Sequence, residues 1–255
     1  MKAILPVDLD AVSEGTTTRW LVGEPGSGES CSIRLFSPAA LASDRAALQS
    51  FQTDRICVLL RGAAKAQIGT ETFPVDVETL VHIPAGAPHA FSGIGQQPAV
   101  FLDLFAPGLP HGASAVEAPA RKVADAAGRI RSALPQAYIG TTGFAYQPLI
   151  NRKAGSEHLG VNIVRVQPGG TSPAMHIHAF DQYYFILEGE MRMVIGRHTF
   201  DVGANCLVSL PAGMVHKNWN ASGGVERHVA LLVPEPMPGE VLDYAVDIHE
   251  READF

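Results

Sequence analysis

The sequence is poor in cysteine, with Cys31, Cys57 and Cys206 the three in 255 residues. An odd count at wide spacing without a C-x-x-C pair argues against a disulfide framework and points to buried free thiols in a reducing cytoplasm. Basic charge is also scarce: 19 Lys and Arg stand against 26 Asp and Glu, a formal charge of -7. Without clustered cations no phosphate-binding surface forms, so a nucleic-acid partner is not expected. No stretch approaches the roughly 20 apolar residues of a membrane span. The opening MKAILPVDLDAV meets Asp8 and Asp10 before any long apolar run and does not read as a signal peptide. Gly-x-Ser-x-Gly, P-loop and dinucleotide fingerprints are missing, which disfavours nucleophilic, phosphoryl and nicotinamide chemistry.

What is present is a series of short apolar runs broken by Gly and Pro: DRICVLLRG, AKAQIG, TFPV, TLVHIPAGAPHAF and AVFLDLF. Such runs predict an all-β sandwich or barrel. Earlier segments read as strands near Thr18–Val22 and Cys31–Phe36, with small residues suited to a helical turn over Ser37–Ala47. Shifting the chain by 127 residues lays Asp54–His89 over Asp181–His216 without a gap, and 14 of 36 positions match, among them Asp54, Gly62, Pro84, Gly86 and His89. One fold is therefore expected twice. The predicted layout is a first barrel over 15–108, a linker over 109–144, a second barrel over 145–236 and an acidic tail over 237–255.

His176, His178 and Gln182 fall on one parity, so in an extended strand they face one way. His216 follows the Pro-x-Gly turn at 211–213 and can meet them. Gly170, His176, His178, Gln182 and Gly189 resemble the first cupin motif, with Gln182 where that motif usually carries Glu. Gly203, Pro211, Gly213, His216 and Asn220 resemble the second, apart from two extra residues between Gly203 and Pro211. The resemblance implies a bicupin: two tandem double-stranded β-helix (jelly-roll) barrels with a short helical linker. It also implies that His176, His178, Gln182 and His216 bind one divalent transition metal, Fe or Mn favoured, with Zn or Ni as further candidates.

Under the 127-residue shift the first barrel has Gln49, Phe51 and Arg55 at the places of His176, His178 and Gln182, and only His89 matches a ligand. A cation there would repel a divalent ion, so no metal is expected in that barrel. It serves as a structural partner, or Arg55 and His89 form an anion-binding pair. In the linker, Val116–Ala133 is basic and alanine-rich and predicts a helix with a thin apolar stripe. Asp181 recurs as Asp54 and reads as structural. His158, His198 and His228 lie near strands, His228 on the presumed closing strand, while His111 and His249 fall in a break and in the tail. The tail can reach back along its own chain or onto a partner.

Four neutral donors leave a divalent ion's charge uncompensated, which favours an anionic, oxygen-chelating ligand. Tyr184 shares the parity of Gln182, and its buried hydroxyl needs a partner, making it a candidate proton donor or orienter. Met191 and Met193 are expected to point inward and are candidate substrate contacts. Resemblance to quercetinase-like cupins implies a dioxygenase acting on a small enol, phenol or carboxylate. The His-x-His, Gln, His set is also similar to that of manganese cupin hydroxynitrile lyases, which implies a redox-neutral lyase, isomerase or cyclase, and a non-catalytic binding cupin is the third reading. The expected assembly is a cytoplasmic homodimer with a small-molecule substrate.

Overall fold

The computed structural model describes residues 3–12, 18–39 and 47–247. Most of the expected turn over Ser37–Ala47, the first three residues of the first barrel as drawn above, and His249 lie outside them. Within the described residues the architecture is all-β, with antiparallel pairing throughout and helix limited to three-residue 3-10 turns. The first barrel faces a six-stranded sheet, whose centre is Asp54–Arg61, Val100–Ala106 and Ser32–Phe36, against a five-stranded sheet built on Ala63–Ile68 and His89–Ile94. The second repeats the plan, with Asp181–Glu188, Glu226–Val233 and Gly160–Val166 at the centre of a seven-stranded sheet. Its opposite sheet holds Glu190–Ile195, His216–Trp219 and His176–Ile177.

The continuous apolar runs of the central strands follow from burial on both faces. Ile56, Val58, Leu102 and Leu104 share one core with Val161, Tyr183, Phe185, Val229 and Leu231, so the two large sheets pack back to back. Residues of the other parity, such as Leu59 and Phe101 in the first barrel and Tyr184 and Ile186 in the second, fill the barrel interiors. Each fully buried Leu, Ile or Phe contributes roughly 1.5–3 kcal/mol, which makes this three-part core the main source of stability. Equivalent turns explain the repeated glycines. Gly62 and Gly189 sit at φ 80 and 77, and a Cβ there would meet a backbone carbonyl at 2.8 and 2.4 Å. Asp54 and Asp181 each begin a strand and accept a hydrogen bond from a turn amide, Ala85 N at 3.0 Å and Ala212 N at 2.9 Å, so their recurrence is structural.

The segments outside the repeat are woven into it. Ile4–Pro6 pairs with Cys206–Leu210 at the edge of the second barrel's sheet. The helix expected over Val116–Ala133 is reduced to one 3-10 turn, Ala127–Arg129. Val116–Glu117 instead pairs with Gln49–Ser50, and Ile130–Arg131 with Leu80–Ile83. Pro119 and Gly128 work against a helix interior, and two short edge ladders satisfy the backbone while Val123 and Ala126 enter the first core. The tail folds back on its own chain, Tyr244–Ala245 pairing with His176–Ile177.

Candidate metal centre

In the second barrel the antiparallel ladder places His176 directly across from His216. His178 follows two residues on, and Gln182 enters from the adjacent large-sheet strand. All four are buried. The three rings lie 4.3 to 4.9 Å apart between centroids, and one nitrogen from each falls within 4.8 Å of the others.

The hydrogen bonds fix which nitrogen that is. His176 Nδ1 donates to Ala174 O at 2.7 Å, His178 Nδ1 to Leu242 O at 2.7 Å and His216 Nδ1 to Met214 O at 2.9 Å. A carbonyl only accepts, so each Nδ1 carries the proton and each Nε2 a lone pair. Nε2 of His178 and of His216 are buried with no hydrogen-bond partner among the described residues, a costly state that a cation at their convergence relieves. Burial drives His216 down to about 3, its bond to Met214 opposing and the neighbouring imidazoles adding. Burial likewise lowers His178. Both stay neutral, as a metal ligand must. The residues present therefore fit a divalent ion.

Tyr184 Oη donates to Gln182 Oε1 at 2.8 Å, the partner its buried hydroxyl required. Burial first, then Asp243 and Glu226, raise its pKa, so it remains a phenol. The cavity beside the histidines, about 160 Å³, has apolar walls at Phe144, Phe180, Ala230 and Leu232. Met191 and Met193, expected as substrate contacts, are fully buried in the barrel core and do not line this cavity. Their inward parity is as expected, and they belong to the core cluster that includes Val164, Ile186 and Val208.

Two groups stand out that the motif residues do not include. His228 lines the cavity, its ring 4.6 Å from that of Tyr184. Its Nδ1 donates to the Glu226 carboxylate at 2.8 and 3.1 Å, and both residues are buried. Glu226, His228 and Ala230 share one parity on the closing strand, the signal that would have paired them. The tail residues Leu242 and Asp243 also line the cavity, a long-range contact with no local sequence mark.

In the first barrel Arg55 and His89 do meet, Arg55 Nη1 lying 2.8 Å from His89 Nε2. The guanidinium fork already holds a carboxylate of the chain itself. Arg55 Nε and Nη2 donate to the two oxygens of Asp103 at 2.7 and 3.0 Å, and Arg34 Nε donates to the same group at 2.7 Å. Burial opposes the Asp103 charge, yet Arg55 and then Arg34 hold its carboxyl below the usual range.

A family model described as a cupin domain matches residues 162–230. The whole two-barrel arrangement superposes on a solved structure of oxalate decarboxylase with a TM-score of 0.67 at 15% identity, covering 96% of this chain and 79% of the other. Residues 162–230 therefore form a cupin domain within the two-barrel fold. A variant of the Bacillus subtilis oxalate decarboxylase gives a TM-score of 0.63 at 17% identity over 92% of this chain and 78% of the other. A structure concerned with the Mn(II) centres of the same enzyme gives 0.63 at 16% over 90% and 77%. At these identities the likeness establishes the fold. An uncharacterised protein of Streptomyces coelicolor is 32% identical over 66 residues, which are 26% of this chain and 63% of that protein's length. Among the described residues no helix is long and apolar enough to cross a membrane.

Proposed function

We propose that this cupin is a metal-dependent enzyme that holds one divalent ion through His176, His178, Gln182 and His216. On this reading it converts a small anionic, oxygen-chelating substrate in a redox-neutral lyase or isomerase reaction. The carrying observation is the convergence of three imidazoles whose Nδ1 atoms are committed to backbone carbonyls. A bound divalent ion supplies Lewis acidity to a chelating oxygen. Manganese suits a mixed imidazole and carbonyl-oxygen set, and the Mn(II) centres of the structurally similar oxalate decarboxylase support it; iron, zinc and nickel are the further candidates.

The chain's own groups then have distinct work. With Nδ1 bonded to Glu226, His228 offers Nε2 to accept a proton, and Glu226 stabilises the imidazolium that results. Tyr184 orients the Gln182 oxygen. The apolar walls restrict the site to small substrates and limit water. The Mn(II) centres of the structurally similar oxalate decarboxylase favour the lyase reading. A dioxygenase is the second reading, favoured by those same apolar walls, which suit dioxygen. Free cysteines, two of them buried, suit a cytoplasmic location.

Turnover of a panel of small 2-oxo and hydroxy carboxylates by Mn(II)-loaded protein, in air and under argon, tests this. Equal rates in both, falling about 10²- to 10⁴-fold in His228→Ala with metal content kept, support the proposal. Strict dependence on dioxygen gives the dioxygenase, and metal binding without turnover of any substrate gives a binding module.

A further inference from the structure

The tail makes contacts that a simple edge strand would not need. His176, His216 and, in the first barrel, His89 each take the orienting carbonyl from two residues upstream, at Ala174, Met214 and Ala87. His178 differs, because its acceptor is Leu242, 64 residues away. The next residue, Asp243, places Oδ1 3.4 Å from His178 Nδ1 and 3.9 Å from His176 Nε2. Asp243 stands outside the three histidines that converge within 4.8 Å, so this oxygen lies beside the ion's position as an outer-sphere charge and not among its ligands. Antiparallel pairing of Ala245 with His176 and of Tyr244 with Ile177 fixes the segment, and Val246 N donates to Met175 O at 2.8 Å. No Lys or Arg among the described residues forms an ion pair with Asp243, whose side chain is 42% exposed at the cavity.

We infer that this tail segment is part of the metal centre: Leu242 O sets the tautomer of His178, and Asp243 supplies the carboxylate charge that Gln182, standing in place of Glu, does not. The inference rests on the proposed metal site and adds to it an acidic group carried 61 residues beyond Gln182. An outer-sphere partner that orients a ligand histidine or balances the ion's charge typically changes metal affinity by about 10- to 100-fold.

The test is calorimetric Mn(II) titration of the full chain after chelator treatment, for the parent, Asp243→Asn, Asp247→Asn and the double variant Asp243→Asn with Gln182→Glu. The parent should take up one equivalent. Asp243→Asn should bind about 10- to 100-fold more weakly, Asp247→Asn, on the same tail, should match the parent, and the double variant should recover most of the loss. Equal affinity in the parent and Asp243→Asn overturns this inference alone, and so does a loss that Gln182→Glu leaves unrepaired. No Mn(II) binding by the parent overturns the proposed function and the inference with it.

Discussion

The two barrels share a strand plan and differ in what occupies the same interior place. In the first, Arg34 faces Asp103 across the ladder, and in the second Asn162 faces Ala230 at the matching register. Arg55 stands where Gln182 stands, and Cys57 where Tyr184 does. The first barrel thus fills its centre with an ion cluster capped by aromatic rings, the Arg55 guanidinium lying 4.8 to 5.4 Å from the rings of Phe36, Phe51, Phe91 and Phe105. A cavity of about 340 Å³ lined by Arg34, Gln49, Arg55 and His89 remains beside the cluster, so the two barrels differ in the groups that line the space. Duplication gave two scaffolds, and two arginines with a carboxylate in one against three converging histidines in the other set them apart.

The largest effect is expected from breaking that cluster. Asp103→Ala leaves two guanidinium groups without their shared carboxylate and should cost about 3–5 kcal/mol, read from urea unfolding; a loss below 1 kcal/mol would show that the cluster is not what holds the first barrel. Next comes pH. Burial, then Arg55, press His89 down to about 3 from its ordinary 6.5. The unfolded chain therefore binds a proton the folded one refuses between those values, and stability contributed by neutral His89 is present above about 6.5 and lost as pH falls toward 3. The loss is on the order of a few kcal/mol, and the slope of stability against pH over this window should flatten by up to about one proton in His89→Gln. The smallest effect is at the matched pair of Cys57 and Tyr184. Tyr184→Phe removes the bond to Gln182 and should weaken Mn(II) binding a few-fold, about 0.5–1.5 kcal/mol, whereas Cys57→Ala should leave that affinity unchanged.

Much of this was legible in the chain. The 127-residue shift exposed the duplication because turn glycines, Pro84 with Pro211, and the strand-starting aspartates are constrained by backbone geometry at both sites. The histidine set was legible because strand parity places side chains of even spacing together. Parity does not tell a core position from a cavity wall, which is why Met191 and Met193 were expected as substrate contacts and do not line the cavity. Composition favoured a helix in the linker, but edge pairing with each side of the first barrel overrode local propensity. Asp103 with Arg34, and Asp243 with His178, are joined only by the folded topology, so nothing near them in sequence announced the pairing.

The most direct test of the central claim compares the matched histidines of the two barrels. Full-length protein, chelator-treated and reloaded with Mn(II), should retain one equivalent of metal after desalting as the parent and as His89→Ala, and close to none as His216→Ala, with the His216→Ala protein still folded by circular dichroism. Equal metal in His216→Ala and the parent, or loss in His89→Ala alone, would contradict the assignment of the site to the second barrel.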